Sequence, residues 1–177
     1  MHYTICDYIS DITQNSIEAG ATLVTVDYRD KDEKIEITIT DNGKGMDELT
    51  LKKAIDPSYT DTVKKHKREI GLGLPFIIQG IEQSQGEFFI DSQKDKGTMV
   101  KFSFDKQNID TPPVGDKSLT YLTLFNYPGN FNIAIQEHNN QQETISFNKK
   151  ELYDVLGDLN SSETLTLLKQ YLKDNIL

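Results

Sequence analysis

A chain of 177 residues is long enough for one domain with a real core and an appendage, and too short for several independent domains. Its formal charge of −9 excludes the broad cationic surface that nucleic acid or an anionic membrane would require, and its longest mostly apolar stretch, GLGLPFIIQGI, is too short and glycine-rich to span a bilayer. Cys6 is the single cysteine and MHYTICDYISD has no leader-like apolar core, so the expectation is a soluble cytoplasmic protein with Cys6 as a small buried hydrophobe.

Residues 3 to 19 read as a helix: Ile5, Ile9 and Ile12 recur on one side, Tyr8, Asp11, Asn15 and Glu18 on another, and Gly20 ends it. Two alternating runs follow, TLVTVDY and IEITITD, close enough to pair as an antiparallel hairpin. The second ends in DNGKGM, residues 41 to 46, which reads two ways. An Asn-Gly pair after alternating residues is a hairpin-turn signal. Alternatively, Gly43 and Gly45 let backbone approach a flat ligand whose hydrogen bond Asp41 accepts. From Met46 to Ile70 the chain is polar and irregular, with DPSYTD as a turn signal, a length that marks a lid or a disordered loop rather than a plain connection. KKHKR, residues 64 to 68, puts four formal cations in five positions there, as a solvated face or a segment that meets a polyphosphate. GLGLP then opens an apolar helix, FIIQGIEQ, with Pro75 acceptable in its first turn, and GEFFIDS and TMVKFSF read as strands.

Helix, two strands, long loop, helix, two strands favours an α+β fold: one mixed or antiparallel sheet covered by helices on one face. GLGLPF lacks the third glycine of a dinucleotide-binding turn, and no G-x-x-x-x-G-K-[ST] occurs, which excludes an ordinary phosphate loop. The division expected is a domain over 1–105, a linker over 106–118 marked by Pro112 and Pro113, and a smaller α+β appendage over 119–177. In that appendage LTYLTLF, FNIAIQE and ETISF read as strands, and a helix capped by Asn148 and Glu151 runs to about Gly157. A last helix carries Leu165, Leu168 and Leu172, a stripe that packs on the chain's own body or meets a partner.

Four short motifs, DITQNSIEAGAT, DNGKGM, GLGLP and KGTMVKF, occur in one order. Together they resemble the GHKL ATP-binding superfamily shared by gyrase B, the large heat-shock ATPase chaperones, histidine kinases and MutL mismatch-repair proteins. The nucleotide pocket of that superfamily is called the Bergerat fold. The first motif is similar to the MutL and chaperone form, and DPSYTDTVKKHKREIGLGLPFI through GTMVKF is closer to the histidine-kinase form. The resemblance covers about residues 3 to 104 and implies a histidine kinase-like ATPase domain: a two-layer α/β sandwich whose mixed, mostly antiparallel sheet carries helices on one face.

The resemblance also implies ATP and magnesium as ligands, with Asn15 as the magnesium ligand. Asn15 lies one helical turn beyond Asp11, so both oxygen-bearing side chains share a face, and magnesium prefers hard oxygen ligands. Asp41 would accept from the adenine amino group, with Ala19, Gly43 and Gly45 around the base, Met46 as a soft apolar wall, and Thr98 completing recognition by hydroxyl or water contact. Gly71 and Gly73 would hold phosphates on unobstructed amides at a helix's positive end, anchored by Leu72 and Leu74. Lys64, Lys65, Lys67 and Arg68 become candidates to meet the triphosphate. Asp11 stands where hydrolysing MutL and chaperone relatives carry a glutamate general base, and its shorter carboxylate implies a weak ATPase.

Phosphorylation in cis is not expected, because no helical hairpin with an acceptor histidine precedes the nucleotide motif and His2, His66 and His138 fall at the terminus, in the lid and in the appendage. That suits a stand-alone form of the domain. Three function classes stay open, in this order: an ATP-driven conformational switch with slow hydrolysis, a kinase acting in trans on a protein partner as anti-sigma relatives do, and a nucleotide-binding module without chemistry. The partners expected are ATP, ADP and an unidentified protein, with no nucleic acid and no membrane.

Overall fold

The computed structural model describes residues 4–57, 73–157 and 161–177. Thr4 opens the first helix, α1 (Ile5–Glu18), through a reciprocal cap in which its hydroxyl accepts from the Asp7 amide and the Asp7 carboxylate accepts from the Thr4 amide. The next two amides, of Ile5 and Cys6, donate to the carbonyls of Pro113 and Val114, each at 2.9 Å. First-turn donors that water would otherwise have to satisfy are thus held by distant chain.

β1 (Leu23–Asp30) and β2 (Lys34–Asp41) pair antiparallel as expected, with Val24 opposite Asp41. A short helix, α2 (Glu48–Ile55), follows, capped by Asp47. The apolar helix α3 (Leu74–Gln83) carries Pro75 in its first turn, where a missing amide costs nothing. β3 (Phe88–Gln93) and β4 (Gly97–Asp105) then form a second antiparallel pair, and β4 lies against β2.

The segment expected as a strand, LTYLTLF, is instead part of a helix, α4 (Lys117–Phe125). Its Leu, Thr and Tyr content suits a strand, but Tyr121, Leu124 and Phe125 recur at helical spacing and are all buried, and Asp116 caps the start by accepting from the Leu119 amide at 2.9 Å. Burial of that stripe outweighs a weak local preference. β5 (Asn132–His138) and β6 (Thr144–Asn148) form as expected. Helix α5 (Lys149–Leu156) is capped by the Asn148 side chain and ends at Gly157, and α6 (Ser162–Asn175) buries Leu168 and Leu172 against the chain's own core.

Strand order is β3-β4-β2-β1-β5-β6, with every neighbouring pair antiparallel except β1 and β5, which run parallel. Residues beyond the linker therefore extend the same sheet, and Phe147, Leu168 and Leu172 join the same apolar core as Ile9, Ile37 and Phe102. Alternation along each strand sends Val24, Val26, Ile37, Ile39, Val100 and Ile133 to one buried face, while Thr25, Thr40, Lys101, Gln136 and Ser146 are exposed on the other. Tyr8 of α1 packs edge-on against Phe104 with ring centroids 5.3 Å apart. Cys6 is buried, and burial pushes its thiol pKa up to about 11, so it serves as a small hydrophobe.

One charge lies inside this layer. Glu137 is fully buried on β5 and accepts from the Tyr121 hydroxyl, from Lys117 Nζ at 3.1 Å and from the Leu177 amide at 3.0 Å, while the same ammonium lies 4.6 Å from the Tyr28 ring centroid. Burial and the adjacent Glu137 charge raise the Tyr121 pKa well above its ordinary value, so the phenol stays a donor. Removing one partner strands the other without water. Glu137→Ala is therefore expected to cost about 3 to 5 kcal/mol of unfolding free energy in urea titrations, and much less in a Lys117→Met background.

Candidate functional site

Asp41 is the last core-facing residue of β2, in a row of cross-strand neighbours that runs Ser92, Thr98, Asp41, Val24, Ile133. The residue is 8% exposed. Oδ2 accepts from Ser16 Oγ at 2.7 Å, and Oδ1 accepts from the Gly43 amide at 2.8 Å and the Thr98 amide at 3.3 Å. A carboxylate offers about four lone-pair directions, so three donors from three separate elements leave it able to accept from a ligand.

The Asn-Gly pair that follows is not a hairpin turn. β2 turns back on nothing, because the next residues run on toward α2. Asn42 instead binds the start of β1: its Oδ1 accepts from the Thr22 and Leu23 amides, and its Nδ2 donates to Thr22 Oγ1, all at 2.9 Å. The Lys44 amide donates to the Ala19 carbonyl at 3.1 Å, the Asp95 amide donates to the Lys44 carbonyl at 2.7 Å, and the Met46 amide donates to Ser92 Oγ at 2.9 Å. Residues 42–46 are thus clamped between the end of α1 and the β3–β4 turn.

Two glycines make that clamp possible. Gly45 has φ +56°, and a Cβ there would lie 2.0 Å from the Gln93 carbonyl oxygen. Gly97 has φ +104°, and a Cβ there would lie 1.9 Å from the Asp41 carbonyl oxygen. Neither position admits a side chain without moving backbone.

The structure thus gathers Ala19, Asp41, Gly43, Gly45, Met46 and Thr98 at one end of the sheet. Asp11 and Asn15 lie half-buried on α1, with Asn15 immediately before the residue that holds Asp41. Gly73 caps α3 without a side chain, and Leu74 is buried behind it. Gly71, Leu72 and the expected lid with Lys64, Lys65, Lys67 and Arg68 lie outside the described residues.

Two members of this site were not singled out from sequence, Ser16 and Ser92. Each carried a signal. Ser16 continues the apolar stripe of Ile5, Ile9 and Ile12, and Ser92 continues the Phe88, Ile90 alternation, so each brings a hydroxyl to a core-facing position where it needs a partner.

The sequence profile of the "Histidine kinase-, DNA gyrase B-, and HSP90-like ATPase" family matches residues 4–108. Sporulation kinase E of Bacillus subtilis is 37% identical over 93 residues, covering 50% of this chain and 12% of that protein. Sporulation kinase A of the same organism is 31% identical over 99 residues, covering 55% of this chain and 16% of that protein. The catalytic domain of the histidine kinase ThkA superposes with a TM-score of 0.43 at 22% identity, covering 56% of this chain and 64% of that one. The chain thus spans less than a fifth of the length of these two kinases. Since the profile takes in more than half of the 177 residues, among them α1, the Asp41 loop and β4, the chain belongs to the histidine kinase-, DNA gyrase B- and HSP90-like ATPases.

Proposed function

We propose that this chain is a magnesium-dependent, cytoplasmic ATP-binding protein that works as a nucleotide-driven conformational switch with slow ATP hydrolysis. The observation that carries the reading is the buried Asp41 carboxylate, held by Ser16, Gly43 and Thr98 with acceptor capacity to spare. Such a group suits the amino group of adenine and opposes the acceptor oxygen of guanine. Gly73 adds support at the other end of the ligand. Among the described residues a Cβ there would meet only Ile77 Cδ1, at 3.9 Å, which leaves the room a phosphate would need to approach the first amides of α3.

The Asn15 amide oxygen on α1 fits magnesium in kind: it is a hard ligand, and magnesium keeps waters and phosphate oxygens for the rest of its shell. Bound there, the ion would neutralise charge on the phosphates. Asn15 would hold it, and Asp11 would take the proton of the attacking water. Among the described residues no helix is long and apolar enough to cross a membrane. The names of the two sporulation kinases favour a second reading, phosphoryl transfer to a separate protein. Incubation with labelled ATP separates the readings: free phosphate marks hydrolysis, a labelled partner marks transfer, and unchanged ATP marks a silent binding module.

Two outcomes are expected. ATP binds better than GTP in calorimetry, and Asp41→Ala weakens ATP about ten- to a hundred-fold, the loss of one charge-assisted hydrogen bond. Equal affinity of the unaltered chain for the two nucleotides would remove the base pocket from Asp41. At saturating ATP, Asp11→Asn keeps affinity and abolishes phosphate release, while Asp11→Glu releases phosphate as fast or faster. Hydrolysis by Asp11→Asn at the unaltered rate would mean that Asp11 is not the base.

A further inference from the structure

Ser92 is the last core-facing residue of β3, where Phe88 and Ile90 precede it in the alternation. It stands directly across from Thr98, which in turn stands across from Asp41. Three polar side chains therefore sit abreast on a face whose other buried polar group is Glu137, on β5. Ser92 Oγ has three neighbours within hydrogen-bond distance: the Met46 amide at 2.9 Å, Thr98 Oγ1 at 2.8 Å and the Gly97 carbonyl at 3.2 Å.

Proton counting leaves this cluster two arrangements, and distance favours one of them. The Met46 amide can only donate, so Ser92 spends a lone pair on it. The single Ser92 proton then has two acceptors to choose between. Either hydroxyl can donate across the 2.8 Å Thr98 contact, but the Gly97 carbonyl, at 3.2 Å, lies beyond the ordinary O–H···O range, which favours Ser92 donating to Thr98. With Ser92 donating to Thr98 Oγ1, the proton of Thr98 is left to point elsewhere. The edge beside the amino group of adenine presents a ring nitrogen that accepts, and that of guanine presents a ring N–H that donates. A donor at Thr98 next to an acceptor at Asp41 therefore matches adenine and opposes guanine or hypoxanthine.

We infer that Ser92 is a positioning residue for base recognition: by donating to Thr98 it makes Thr98 a donor toward the base or toward a water on it, while its bond to the Met46 amide keeps the loop in place. The inference rests on the reading of Asp41 and Thr98 as the base-recognition pair. Ser92 acts through Thr98 and does not itself touch the ligand.

The test is a double-mutant cycle on Ser92→Ala and Thr98→Val, with dissociation constants measured by calorimetry for magnesium-ATP and magnesium-ITP. Loss of one neutral hydrogen bond corresponds to about five-fold, so Ser92→Ala is expected to weaken ATP about five-fold and to narrow the ATP-over-ITP preference by a similar factor. In the Thr98→Val background Ser92→Ala should change the preference by less than about two-fold. A role confined to tethering Met46 would weaken ATP and ITP alike and persist beside Thr98→Val, and that result overturns the inference. If Ser92→Ala does not fold, Ser92→Cys keeps the shape with a far weaker donor and should narrow the preference in the same way; an unchanged preference again overturns it. Asp41→Ala in the same assay separates the two levels. Unchanged ATP affinity there removes the base pocket itself, whereas a loss there with an unchanged ATP-over-ITP preference in Ser92→Ala removes only the role of Ser92.

Discussion

A buried carboxylate organises this end of the molecule. Asp41 has given up most of its water, and an ionised group in that position is tolerated only if the protein supplies donors. The donors come from α1 through Ser16, from the loop through the Gly43 amide and from β4 through the Thr98 amide. Moving any one of the three away costs the buried carboxylate a donor, so this one side chain ties helix, loop and sheet together. The close backbone approaches at Gly45 and Gly97 follow from the same demand, since the loop can reach its place only by touching the β3–β4 turn.

The helix that carries Asp11 and Asn15 is held at its start by the linker and at its far end by the connection that follows α4. Pro113 and Val114 accept its first free amides. At its far end the Tyr127 hydroxyl donates to the Glu18 carboxylate at 3.1 Å, and Phe131 of the same connection is covered by Lys149 Nζ at 3.7 Å from the ring centroid. Parallel pairing of β5 with β1 anchors that connection to the sheet. A helix so held is a stiff platform, which is what oxygen ligands for a small divalent cation need if their spacing is to persist when the ion is absent. The C-terminal residues are thus a structural part of the candidate site's support.

What could be read from sequence followed the strength of local patterns. α1, β1, β2, α3, β3 and β4 each repeat apolar residues at an unmistakable period, and the ends of α1 and α5 carry side chains whose capping chemistry is local. α4 was misread because Leu-Thr-Tyr-Leu-Thr-Leu-Phe satisfies period two and period three-to-four alike, and only the core it meets chooses between them. The parallel register of β1 and β5 joins residues about a hundred positions apart, and no local signal reports it. Asp41 stands out in the sequence as a candidate ligand group, but the hydroxyls of Ser16 and Ser92 do not, because their partners come from other elements of the chain.

The glycines divide along the same line and show which half of the site the protein builds for itself. At Gly45 and Gly97 the chain's own backbone forbids a side chain, so those residues would be glycine even if nothing ever bound. Gly73 differs. Its φ of −82° is open to any residue, and a Cβ would meet a single methyl carbon at 3.9 Å. Among the described residues no contact requires glycine there, and glycine is itself preferred over alanine at a helix N-cap. On the proposed reading that cap also leaves room for a phosphate drawn to the first amides of α3, a group of the right charge for a helix N-terminus. On that reading the base end is therefore preformed by internal constraint, while at the phosphate end the described residues supply a helix N-terminus and an uncrowded cap.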